Sequence, residues 1–230
     1  MQKIIFPPPR EIKTEADYLE LERLSIKLGI PVPMMRIEVK AEKDGKVTGL
    51  YEGRSRTWNR NYWNGIYAPI CGIAFVATFF AAGYLSMRQV DGTVAAIAAG
   101  YFNLNPAGPI SNSSVGIIPG RGSAAESFEV YALTTPITHG AGANQLGFRA
   151  MATPGKSYSA GPLLWTATLT RLYDNTSGNT ITITEAGIYA YFVQSALIFM
   201  TCRDLLAAPV AVLNNGVLTI TYTITITFPA

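Results

Sequence analysis

The sequence predicts a mainly β protein: an antiparallel β-sandwich, jelly-roll-like or Ig-like, preceded by an extended N-terminal arm and a short helix. Three observations predict it. The stretch LTITYTITITF (residues 218 to 228) alternates strictly, with Leu218, Ile220, Tyr222, Ile224, Ile226 and Phe228 on one face and five threonines on the other. After residue 103, period-two runs recur between clusters of Gly, Asn, Ser and Pro. No helical periodicity of comparable strength follows residue 103, whereas one clear helix pattern precedes it.

The first element is the arm. IIFPPPREI (4 to 12) holds three consecutive prolines, which favour extended polyproline II. Thr14 then precedes EADYLELERLSIKLGIP, where it can cap a helix with acidic residues in its first turn and a Gly29–Pro31 stop. Tyr18, Leu21, Leu24 (or Ser25) and Leu28 form an apolar stripe, suited either to gripping a neighbouring subunit or to folding onto its own domain. Residues 1–30 are therefore set apart from 31–230. Within the latter lie an apolar insertion at about 57–85 and a loop-rich sub-boundary at about 103–122.

Asp44-Gly45 between two alternating runs predicts a hairpin. In GRSRTWNRNYWNGIY, three arginines interleave with Trp58, Tyr62 and Trp63. Such a mixture can stack on single-stranded nucleic acid; the preferred reading is a strand-to-helix corner whose arginines meet carboxylates across a subunit contact. Residues 61–87 carry no charge and are long enough to span a bilayer. However, Asn61, Asn64, Gly65, Pro69, Gly72 and Gly83 interrupt them, and a buried helix or strand pair is the expectation. A second hairpin is expected over 84–102, around Asp91-Gly92-Thr93. Further on, FEVYALTTPI and LGFRAMA flank the loop THGAGANQ. The remaining expected strands are LWTATLTRLY, TITITEAGIYAYF after the turn DNTSGN, LIFMTCRDL and the terminal run.

Charged residues make up 14% of the 230, against roughly 25% in an average domain, while hydrophobic ones reach 49%. That is little charge to coat a solitary globule, so much of the chain is expected to face other protein. A net charge of +3 without a dense basic run gives no case for nucleic acid. MQKIIFPPPR lacks signal-peptide order. Cys71 and Cys202 are expected to be buried free thiols.

Catalytic signals are weak. His139 is the single histidine; with no second one and no CxxC, a metal centre is not expected, nor is a cofactor. No GxSxG elbow accompanies it. GRGSAAES (120 to 127) lacks the lysine of a phosphate loop. Asp174 is expected to bond its own turn backbone. Glu185 and Asp204 are the one carboxylate pair to consider for glycoside chemistry, and the preferred reading makes Glu185 and Arg203-Asp204 satisfied strand-end groups. No enzyme is expected.

Three stretches, YALTTPITHGAGANQL (131 to 146), TLTRLYDNTSGNTITITEAGIYA (168 to 190) and CRDLLAAPVAVLNNGVLTITYTITI (202 to 226), resemble a β module of tailed-bacteriophage virion proteins. An aromatic strand leads through an Asn/Ser/Gly turn into a threonine-rich strand ending in E-x-G-[IL]-Y. An R-D stretch, a Pro-Val loop and a closing Thr/Ile strand follow. The likeness covers residues 115 to 230, more weakly DGKVTGLYEGRSRTWNRNYW, and not the arm, the helix or 61–87. It implies a virion structural protein, such as a capsid decoration, spike or fibre base, or tail component, that associates with its own copies and with other particle proteins. Phe6, Pro7, Pro8, Pro9, Tyr18, Leu21, Arg56, Trp58 and Trp63 are the expected partner-binding residues. Two alternatives stay open: a receptor- or carbohydrate-binding module using loops 139–148 or 153–165, and a membrane-associated protein using 61–87.

Overall fold

The computed structural model describes residues 14–55, 58–70, 86–96, 104–161, 163–192 and 197–228. The proline arm with Phe6 and Pro7–Pro9, together with Arg56, Cys71 and the rest of 71–85, lies outside them.

Helix α1 (Glu15–Leu28) begins as its capping residues dictate. Asp17 N–H donates to Thr14 Oγ1 at 3.3 Å, and the Asp17 carboxylate accepts from Thr14 N–H at 2.8 Å, a reciprocal capping box. Gly29 ends it in the left-handed region at φ 66°. None of its residues is buried. Strands β1 (Pro33–Lys43) and β2 (Lys46–Arg54) form the expected hairpin, with Asp44 at φ 53° and Gly45 at φ 73°. Helix α2 (Arg60–Ile70) follows, then β3 (Ser86–Arg88) and β4 (Val94–Ala96), the hairpin predicted around Asp91-Gly92. The rest is strand and loop: β5 (Leu104–Asn105), β6 (Gly116–Gly120), β7 (Gly147–Phe148), β8 (Gly155–Ser159), β9 (Leu164–Asp174), β10 (Ile181–Phe192), β11 (Ile198–Val212) and β12 (Val217–Thr227).

Two antiparallel sheets form a sandwich-like fold. The first runs β2-β1-β12-β9, with β7 and β8 on the far edge of β9; in the second, β10 has β11 on one side and β5 and β6 on the other. The adhesive last strand is therefore not an edge. β12 pairs with β1 from Val217 to Ile226 and with β9 from Val217 to Thr227. Its inward residues Leu218, Ile220 and Tyr222 are buried, in one core with Ile37 and Val39 of β1, Leu169 of β9, Ile183 of β10 and Val210 of β11. Its threonines line the outer face, where Thr221 Oγ1 lies 3.2 Å from Thr170 Oγ1. The sheets meet at β2 and β11: a Cβ on Gly49 would sit 3.1 Å from Val210 Cγ1. Residues 103–122, read as a sub-boundary, contribute β5 and β6 to the sheet of β10.

Three expectations need correcting. FEVYALTTPI forms no continuous strand: side chains take the N–H groups of 133–135, and a single isolated bridge, Pro136 to Gly120, joins it to β6. Leu133 N–H donates to the Tyr189 hydroxyl (2.8 Å), those of Thr134 and Thr135 donate to Glu185, and that of Ile137 donates to Pro119 O. The Pro-Val stretch is strand, not loop. Leu205 pairs with Glu185 and Val210 with Ile183, so residues 206–209 bulge opposite Thr184 and Pro209 takes no N–H out of the ladder. Asp174 does not serve its own turn: its carboxylate accepts from Arg149 at 2.9 and 2.6 Å, and Asn175 caps the turn by accepting from Ser177 N–H at 3.1 Å.

Candidate functional site

Each catalytic candidate has partners within the fold, His139 at the surface and Glu185 and Asp204 in the interior. His139 Nδ1 accepts the Phe148 N–H at 3.0 Å, and the ring stands edge-on to Phe148. Glu185 is buried in the middle of β10, not at a strand end. Its Oε2 accepts from Arg203 Nε at 2.6 Å and from Thr134 N–H at 3.3 Å; its Oε1 accepts from the N–H groups of Gly122 (3.0 Å) and Thr135 (2.9 Å). Arg203 also donates to Ala124 O, Ala125 O and Thr134 Oγ1. The GRG turn of GRGSAAES thus receives an anion, but the anion is the chain's own carboxylate. A Cβ at Gly122 would lie 2.3 Å from Glu185 Oε1, so glycine is needed for the close approach. Asp204 is also sealed from solvent, whereas glycoside hydrolysis requires carboxylates that meet sugar and water. It shares the interior with Cys202 and Tyr222. Burial first and the Asp204 charge second push the Cys202 thiol and the Tyr222 phenol well up. Cys202 is a buried free thiol. Among the described residues no group of His, Cys, Asp and Glu could hold a metal ion, and no helix is long and apolar enough to cross a membrane.

A second buried arginine was not foreseen. All five N–H donors of Arg171 reach carbonyls: Nε to Arg149, Nη1 to Val115 and Ile117, and Nη2 to Pro109 and Asn112. Phe148 lies 4.8 Å from the guanidinium. Parity along LWTATLTRLY places Arg171 inward with Leu169 and Tyr173, so its position was legible. Its acceptors were not, because they come from residues 109–117, 54 to 62 positions upstream, and from Arg149, 22 upstream.

The expected partner-binding residues that are described do converge. Tyr18 and Leu21 of α1 and Trp58 and Trp63 at the corner line one open hollow of about 260 Å³, together with Met34 and Phe128. Buried asparagines hold the corner. Asn59 Nδ2 donates to Met200 O (2.7 Å) and Val130 O (3.0 Å), while its Oδ1 accepts from Tyr62 N–H and caps α2. Asn61 ties α2 to Arg88 of β3. Trp58 stacks on Tyr62 at 3.7 Å. The corner arginines find carboxylates, as expected, but within the chain: Arg54 donates to Glu15 (2.8 Å) and Glu22 (2.7 Å), and Arg60 to Glu129. Arg54 thereby fastens α1 to β2, and these carboxylates raise its pKa further, the Glu15 hydrogen bond foremost.

No protein-family model, curated protein or solved structure matches the chain.

Proposed function

We propose that this chain is a structural protein of a viral particle, of the tailed-phage type, which works by associating with copies of itself and with other particle proteins. One observation carries the reading. Helix α1 is held to its own sheet by Arg54, yet leaves Leu19 54%, Leu21 40%, Ile26 68% and Leu28 62% exposed. These four large apolar side chains, Leu19 with Ile26 on one flank and Leu21 with Leu28 on the other, belong to a helix with no buried residue and give it two apolar flanks that association would cover. The low charge of the chain supports the same reading. The terminal strand no longer does, because both of its edges are satisfied within the chain.

The test is the solution mass of the full chain across a concentration range, with and without residues 1–30. A higher oligomer is expected for the full chain, with association weakened by the truncation. A full chain that stays monomeric throughout overturns the reading. A receptor-binding role draws on a separate observation, the 57% exposure of Tyr158 on the outer strand β8. In that case Tyr158→Ala abolishes adsorption of particles that still assemble.

A further inference from the structure

We propose that the hollow between α1 and the corner receives the proline arm, residues 4–9, of a second copy of this chain. The inference rests on the assembly reading above and names its contact. The hollow presents two tryptophans, a tyrosine and a phenylalanine, the lining on which proline-rich segments dock in their preformed extended conformation at low entropic cost. The same sequence carries a matching ligand, Ile4-Ile5-Phe6-Pro7-Pro8-Pro9, an uncharged run. The hollow suits an uncharged guest, since the charged residue in its lining, Arg54, is already paired with Glu15 and Glu22. Its volume, about 260 Å³, fits a few side chains of a short segment.

Chain length and direction favour an arm from another copy. The described chain starts at Thr14, the cap of the helix that forms one wall, and Tyr18 and Leu21 lie about 6 and 10 Å further along its axis at 1.5 Å per residue. To enter its own hollow, the arm has to double back within Arg10-Glu11-Ile12-Lys13. That stretch contains no Gly, Pro, Asn, Asp or Ser to make a tight turn. Exchange between copies needs no reversal, and it also covers Leu21 and Phe128, both exposed in the single chain.

The experiment measures self-association of full-length chains by analytical ultracentrifugation. One variant carries Pro7→Ala, Pro8→Ala and Pro9→Ala with Phe6→Ala; the other carries Leu21→Asp in the hollow. Phe128→Ser is a second hollow variant, and circular dichroism verifies that each chain folds. Each variant alone is expected to associate more weakly by on the order of tenfold or more, as when an interface anchor is removed. An equimolar mixture of arm and hollow variants recovers association in part, because the intact arm of one chain can enter the intact hollow of the other. If the wild-type chain associates and the variants associate equally well, the docking inference is overturned and the assembly reading survives. Weakened variants whose mixture shows no recovery overturn exchange between copies. A wild-type chain that is monomeric throughout overturns both.

Discussion

Glu185 and Arg203 form a buried ion pair whose hydrogen bonds all go to the segment 122–135, and the pair replaces the ladder that this segment lacks. Such a pair adds little net stability relative to apolar residues of the same volume, but removing one partner strands a charge. Arg203→Met is therefore expected to destabilise the fold by about 3–5 kcal/mol, read from the denaturant midpoint. Adding Glu185→Gln to that variant should return part of the loss. A loss confined to a few tenths would mean that the carboxylate reaches water. A second prediction follows from the buried phenols. Burial pushes Tyr189 up to about 12 from an ordinary 10.0, and raises Tyr173 and Tyr222 further. Below pH 10 neither the folded nor the unfolded chain loses these protons, so their contribution is fully present. Above it the unfolded chain releases them first, and stability falls as pH rises from about 10 through 12. The share of tyrosinate absorbance that belongs to these three buried phenols should then appear together with the loss of circular dichroism, in one cooperative step. Ionisation of all twelve tyrosines near pH 10 with structure retained would refute this.

At the scale of elements, signals confined to a few neighbouring residues were readable. Thr14 and Gly29 bound α1, and Asp44-Gly45 and Asp91-Gly92 make hairpins where expected. Asn59, directly before α2, is a cap that the same rule could have found. What stayed hidden depends on distant partners. FEVYALTTPI alternates like a strand, but Glu185 and Tyr189, some 50 residues on, take its N–H groups. The hollow was legible only in part: Tyr18, Leu21, Trp58 and Trp63 stood out singly, while their meeting depends on Arg54 drawing α1 back over β1. The attachment of α1 is correspondingly local. Arg54→Ala should leave the melting transition of the sandwich close to wild type while hydrogen exchange across 15–28 accelerates strongly. Equal protection of α1 in that variant would show that apolar contacts, not the arginine, hold it.

For the whole molecule, the proposed assembly role of the N-terminal region predicts that the two ends of the chain can be separated experimentally. The C-terminal strand is the keystone of the larger sheet: β12 joins the β1–β2 hairpin to β9, and its inward residues cross the centre of the core. The outer strands are protected more modestly. β8 is five residues long and carries Lys156, features that discourage edge-to-edge pairing. β2 abuts β11 at Gly49. A chain ending at Gly216 should consequently fail to fold: it loses a strand paired on both sides and exposes Ile37, Val39 and Leu169 in one step. A chain starting at residue 31 loses the proline arm together with a helix that has no buried residue, and should keep the cooperative melt of the sandwich while its self-association drops. Calorimetry of the two truncations beside the full chain separates the outcomes. Were the C-terminal truncation to melt cooperatively, or the N-terminal one to lose its transition, the division of folding and proposed assembly between the two ends would fail.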